Sequence, residues 1–229
     1  MSAFAGRTPV SWGLEPSGVA LSLPTGTRAL ALTFDCCGGP GGEGFDRSVL
    51  SALVRHEVAA TFFLNARWVR ANPAVTRELA ANPLFEIANH GTAHLPLSVT
   101  GRPAYGIAGT THAGAVYDEI MGAQAELKAA TGKVPRFFRS GTAHYDDVAA
   151  GICRALGLVP VNFTVNADGG ATYPAATVMN ELLSARPGSI TIAHANRPES
   201  GTAAGLSAAL PRMIAQGTTF IRLSEAPPV

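Results

Sequence analysis

Lysine is nearly missing from this chain: Lys128 and Lys133 are the two in 229 residues, and arginine supplies the remaining positive charge. Charge of either sign is scarce at 14%, and the formal net charge is +1. No Lys/Arg-rich run appears, which removes the electrostatic footprint of a nucleic-acid or anionic-membrane partner. With 47% hydrophobic residues, the shortage of charge also excludes a disordered chain. Cysteine is limited to Cys36, Cys37 and Cys153, too few for a disulfide framework, and a bridge between two neighbouring cysteines is strained. No apolar run approaches 18 residues, so no membrane span is expected. The first residues, MSAFAGRTPV, lack the basic and apolar regions of a secretion signal. Two compartments stay open: the cytoplasm, or an extracytoplasmic site reached after a signal has been removed. Repeats, linkers and low-complexity segments are absent too. A single catalytic domain over residues 1–229 is expected, with its core at roughly 28–223. Oligomeric state is not legible.

What the chain does have is alternation. Short apolar, β-prone runs sit at Ala29–Phe34, Ala60–Leu64, Leu84–Ala88, Val134–Phe138, Leu158–Val165, Ser189–Ala193 and Thr219–Leu223. Helical patterns lie between them. Asp46 caps one carrying Val49, Leu50, Leu53 and Val54. Val116, Ile120, Ala123 and Leu127 form a second, stopped at Gly132. Asp146 or Asp147 opens a third, Pro174 a fourth and Thr202 a fifth. Strands alternating with helices predict an α/β fold with a mostly parallel sheet. The glycine-rich Cys37–Gly44 stretch lacks phosphate-loop spacing, and no GK[ST] follows it.

The polar residues fall at the ends of these runs. Asp35 follows the first, His90 and His94 the third, Arg139 and His144 the fourth, Asn166 and Asp168 the fifth, and His194 the sixth. In parallel α/β architectures those positions share one face, where sites form. The i, i+4 spacing of His90 and His94 brings two imidazoles to one side of a turn, within reach of one ion; Gly91 rules out the HExxH pattern. Asp35, at a strand end before a flexible loop, suits a base acting beside a bound cation, or a cap on that loop. Cys36 and Cys37 are either buried small residues or, for one of them, a thiolate ligand. Arg139 is placed to hold Asp35 in a bidentate pair. His194 suits a proton donor to a leaving amine. His144 reads as a hydrogen-bonded loop residue, and His56 and His112 read as structural.

In this order the segments resemble the polysaccharide deacetylase family of carbohydrate esterases. The carriers are Thr33-Phe34-Asp35, His90-Gly91-Thr92-Ala93-His94, Phe138-Arg139-Ser140-Gly141, Asn166-Ala167-Asp168 and Ile192-Ala193-His194, spanning roughly Arg28 to Arg222. The resemblance implies a distorted, seven-stranded (β/α) barrel and metal-dependent hydrolysis of N-acetyl groups on an amino-sugar polymer. A divalent metal, Zn²⁺ by expectation, would be held by His90 and His94. Asp35 would be the base, His194 the acid, Arg139 the tether of Asp35, and Asp168 the partner that tunes His194. An N-acetylated glycan would be the substrate. Cys36 stands where the family carries a second aspartate, so Cys36 is the expected third ligand, with Asp35 or water as alternatives. Arg139-Ser140-Gly141 replaces Arg-Pro-Pro, and Gly169-Gly170 stands near where a bulky tryptophan is usual. These departures keep two other readings open: a metal-dependent hydrolase of a small non-glycan amide, and a non-catalytic glycan-binding barrel.

Overall fold

A computed structural model describes residues 2–228. In chain order its elements are β1 (Trp12–Gly13), β2 (Ala31–Cys36), α1 (Arg47–Arg55), β3 (Ala60–Leu64), α2 (Ala66–Ala71), α3 (Pro73–Ala81), β4 (Phe85–Asn89), α4 (Ala113–Thr131), β5 (Phe137–Phe138), β6 (Tyr145–Asp146), α5 (Asp147–Ala155), β7 (Val159–Pro160), β8 (Val165–Asn166), α6 (Ala175–Ser184), β9 (Ile190–His194) and α7 (Thr202–Ala215). Seven strands form one curled parallel sheet in the order β7-β5-β4-β3-β2-β9-β8. This is the parallel α/β sheet that the alternation predicts, curled into the distorted barrel that the family resemblance implies. An N-terminal segment runs between the two ends of the sheet: Ala20 bridges to Val161 beyond edge strand β7, and Ser22 to Ser189 before β9. β1 and β6 make a separate antiparallel ribbon. No described helix is long and apolar enough to cross a membrane.

The strand runs are apolar on both faces because both faces are covered. On β2, Leu32, Phe34 and Cys36 point outward and pack with Val49 and Leu53 of α1 and Leu206 and Leu210 of α7. The inward set, Ala31, Phe63, Ala88, Phe137, Val161 and Ile190, fills the barrel together with Leu23 and Leu223. Each large apolar side chain buried this way stabilises the fold by about 1.5–3 kcal/mol. Above this plug the inward positions turn polar, and there the site begins.

Helix signals act as the sequence suggests. Asp46 caps α1 through Ser48 N–H at 2.9 Å, Asp146 caps α5 through Ala149 N–H at 2.7 Å, and Gly132 ends α4 at φ 71°. Two strand expectations change. Leu158–Val165 divides into β7 and β8, because Asn162 leaves the ladder between them: its side-chain amide donates to Leu14 and Ala143 carbonyls at 2.5 and 2.7 Å. Thr219–Leu223 is not a strand; Phe220 makes one bridge to Leu30, and the chain then turns so that Leu223 plugs the barrel floor. Two helices, α2 and α3, lie where no helix is expected. Asn65 caps the first through Arg67 N–H at 3.0 Å, and Pro73 opens the second.

Candidate functional site

Strand alternation sends Thr33, Asp35 and Cys37 to the barrel interior and Phe34 and Cys36 to the helices. Asp35 is register partner to His194 on the neighbouring strand β9. His90 continues β4, and Arg139 continues β5. Residues from four strand ends therefore meet at one mouth, at the base of a cleft of about 780 Å³.

Arg139 forms the floor. It is fully buried, with its guanidinium carbon 4.2 Å from the centre of the Phe63 ring. Nη1 donates to Asp35 Oδ1 at 2.7 Å and to Thr33 Oγ1 at 2.8 Å; Nε and Nη2 donate to the carbonyls of Val161 and Asn162, each at 3.2 Å. The expected bidentate pair is not what forms. Only Nη1 reaches the carboxylate, because two backbone carbonyls occupy the other side of the fork. Burial works against ionisation of Asp35, but the charges of Arg139, His90 and His194 outweigh it and hold the carboxyl below its ordinary range.

Above this pair lie the metal-binding candidates. His90 Nδ1 is 2.9 Å from the Arg139 carbonyl, which can only accept, so Nδ1 carries a proton and Nε2 is the nitrogen turned to the site. Nε2 lies 3.5 Å from Asp35 Oδ2 and 3.7 Å from Cys37 Sγ. His94 meets His90 edge-on at 4.9 Å between ring centres, and its buried Nε2 has no hydrogen-bond partner. One donor atom from each of Cys37, His90 and His94 lies within 4.8 Å of the others. Burial opposes a Cys37 thiolate, but the His94 charge and the neighbouring imidazoles of His194 and His90 outweigh it and bring the thiol well below its usual range.

Cys36 is not brought to this group. Its side chain belongs to the apolar core between sheet and helices, and burial, with Cys37 and Asp35 nearby, pushes its thiol well up. Sequence reading puts Cys36 in this group as third ligand; the structure corrects that placement, because the cysteine that lies with His90 and His94 is Cys37, one residue on. Asp35, the other expected candidate, is engaged by Arg139 on Oδ1.

The loop carrying His94 is fastened from below. Glu119, buried on α4, accepts the N–H groups of Ala93 and Leu95 at 3.0–3.1 Å. His94 takes a left-handed backbone, φ 64°, which costs a non-glycine residue about 1–2 kcal/mol. Gly141 lies against the His94 backbone so closely that a Cβ there would overlap it. In the sequence Gly141 stands out only as part of the Arg139 segment, and Glu119 reads as one more helix acid.

On the opposite wall Asp168 holds His194. Its Oδ1 is 2.9 Å from His194 Nδ1, while Oδ2 accepts the His194 N–H at 2.6 Å and the Thr202 hydroxyl at 2.9 Å. Burial of His194 disfavours its charge, but the Asp168 carboxylate raises its pKa well above the usual imidazole value. Asp168 is lowered in return, burial being outweighed by the His194 charge. His144 is a loop residue with Nδ1 2.7 Å from the Thr142 carbonyl, and His112 caps α4 through Ala115 N–H at 3.2 Å.

Residues 22–161 match the family model described as Polysaccharide deacetylase. The chain is 32% identical over 177 residues to the chitooligosaccharide deacetylase of Bradyrhizobium sp. (strain ANU 289), covering 76% of this chain and 74% of that protein. It is 26% identical over 219 residues to a peptidoglycan-N-acetylglucosamine deacetylase of Bacillus cereus (strain ATCC 14579), covering 94% of this chain and 74% of that protein. Among solved structures, BA3943 from Bacillus anthracis, described as a CE4 family pseudoenzyme, superposes with a TM-score of 0.75 at 21% identity, over 90% of this chain and 67% of that one. That last likeness concerns the fold alone.

Proposed function

The chain belongs to the polysaccharide deacetylase family, and from that premise we propose that it is a metal-dependent hydrolase that removes N-acetyl groups from an amino-sugar polymer or oligosaccharide. The observation that carries the reading is the flanking of three converging donors, Cys37, His90 and His94, by a carboxylate and an imidazole with opposite proton affinities, Asp35 and His194. Paired titratable groups whose surroundings push them apart are what a base and an acid in one reaction need.

The donors suit a divalent ion. His90 Nε2 faces the group and would give a lone pair once deprotonated, His94 Nε2 is buried without a partner, and the Cys37 thiolate supplies sulfur. One sulfur and two imidazole nitrogens favour zinc over magnesium or calcium. Bound there, the ion would supply Lewis-acid polarisation of the acetamide carbonyl and ease the ionisation of water.

The chain's own groups do the rest. Asp35 accepts a proton from the attacking water, and Arg139 keeps it ionised and aimed. The water oxygen adds to the acetyl carbon first, and the C–N bond breaks afterwards, as the carbonyl re-forms. His194, protonated because Asp168 faces its Nδ1, gives its Nε2 proton to the departing sugar amine, so acetate and a free amine result.

The test is acetate release from N-acetylated chitooligosaccharides and peptidoglycan fragments, with added Zn²⁺ or Co²⁺ and with chelator, beside a panel of small N-acyl amides. Chelator-sensitive release from an oligosaccharide, faster than from any small amide, is expected. No release from any N-acetylated glycan, despite one tightly bound metal per chain, would overturn the proposal and favour a binding barrel. Faster turnover of small amides would favour the small-substrate hydrolase.

A further inference from the structure

The tyrosine of β6 has no task in the chemistry above. Tyr145 is fully buried and lines no part of the cleft. Its strand is held on both sides: β6 pairs with β1, while Leu97 N–H donates to His144 O at 3.0 Å and Asp146 N–H to Leu97 O at 2.8 Å. The Tyr145 ring packs with Leu97, Val116, Ile120, Ala149 and Ile152, and lies edge-on to Phe138 at 6.2 Å between ring centres. Packing alone asks only for the ring; a buried hydroxyl is accounted for by its own partners. Burial pushes that hydroxyl well above the usual phenol range, so it stays neutral and can both donate and accept.

It does both, to the residues on either side of Arg139. Ser140 N–H donates to the Tyr145 hydroxyl at 2.9 Å, and the hydroxyl donates to Phe138 O at 3.1 Å. Between these two anchors Arg139 N–H donates to Asn89 O at 2.9 Å, and Arg139 O receives the His90 Nδ1 proton at 2.9 Å. Phe138 O has a second donor, Val161 N–H at 2.8 Å. Among the described residues Ser140 N–H has no other partner, and Ser140 is fully buried. The same short segment reaches three parts of the site. The Arg139 guanidinium holds Asp35, the Arg139 carbonyl holds His90, and Gly141 donates to Leu95 O at 3.3 Å while abutting the His94 backbone. A shift of the Ser140 peptide therefore disturbs all three together.

We propose that Tyr145 is a positioning residue for the reaction: through Phe138 O and Ser140 N–H, its hydroxyl sets where Arg139 and His90 stand relative to Asp35. The effect on turnover rests on the deacetylase reading; the placing of His90 does not.

Tyr145→Phe keeps the ring and removes the hydroxyl. Ile152→Val trims the same core without touching the Arg139 segment, and serves as the comparison for lost stability. Both are measured against the unaltered chain in three ways: the exchange rate of the His90 Nδ1 proton by NMR, assigned through its loss in His90→Gln; zinc affinity by competition with a chelator; and kcat and KM for an N-acetylated chitooligosaccharide. In Tyr145→Phe the His90 proton is expected to exchange about tenfold faster, the scale of one buried donor left without a partner. Zinc affinity and kcat should fall about 10–100-fold, as for other groups that orient metal ligands. KM should change little, because no cleft surface is lost. Ile152→Val is expected to lower Tm and leave all three readouts unmoved. Unchanged His90 exchange in Tyr145→Phe, or unchanged zinc affinity and kcat, would overturn the proposal. Equal changes in Ile152→Val would overturn it too, by making the effect one of core stability. Faster His90 exchange in Tyr145→Phe alone, in a chain that releases no acetate from any N-acetylated glycan, would support the positioning while refuting the deacetylase reading.

Discussion

Arg139 illustrates what one buried charge demands. Its guanidinium reaches a carboxylate, a hydroxyl and two carbonyls and lies over the Phe63 ring, so each side of the cation faces an acceptor or a π surface. Asp168 does the corresponding work for His194, and a pH dependence follows. The Asp168 carboxylate is the largest influence raising the His194 pKa against burial, so removing its charge lowers that pKa. His194 would then lose its proton at lower pH. In Asp168→Asn the alkaline limb of the kcat–pH profile is expected to move towards acid, with kcat reduced about 10²–10⁴-fold; an unmoved limb would remove His194 from the acid role. At this scale the sequence was informative about type and less so about direction. Asp35, His90, His94, Arg139, Asp168 and His194 were all recognisable at run ends and all converge. Counting along the motif points to Cys36. Period-two alternation from Asp35 points instead to Cys37, because the residue next to an inward one faces outward.

At the scale of elements, the His90–His94 loop depends on a helix that lines no part of the cleft. Glu119 of α4 gathers the Ala93 and Leu95 amides, and burial raises its pKa despite those hydrogen bonds. Glu119→Gln keeps the size but replaces one acceptor with a donor facing those amides. Zinc affinity is expected to fall about 10–100-fold, as for other groups that orient metal ligands. A competition titration against a chelator measures it, with circular dichroism as the check on folding; unchanged affinity would mean that the loop holds itself. The longer elements were legible because apolar runs and caps agree: β3 at Ala60–Leu64 is the clearest case, and α1, α4 and α5 start or stop at named caps. The six-residue α2 is too short to show a helical period, and the break between β7 and β8 depends on Asn162 bonds to residues distant in sequence.

For the whole molecule, the parallel barrel works as a graded column. Apolar residues plug the lower interior, Arg139 and Thr33 form a polar floor, Asp35 and the imidazoles stand above, and Cys37 lies where the strands give way to loops. Long-range pairing fixes this stacking: Asp35 is 104 residues from Arg139 along the chain and is register partner to His194. That is why the alternation predicts the class of fold, while the ligand set appears only once the strands are in register. The central claim is that Cys37, His90 and His94 hold the catalytic ion. X-ray absorption at the zinc edge of the zinc-loaded protein tests it most directly. The predicted first shell has one sulfur at about 2.3 Å and imidazole nitrogens at about 2.0–2.1 Å, with the sulfur lost in Cys37→Ser and retained in Cys36→Ser. A shell of nitrogen and oxygen alone, or a sulfur that persists in Cys37→Ser, would contradict the account.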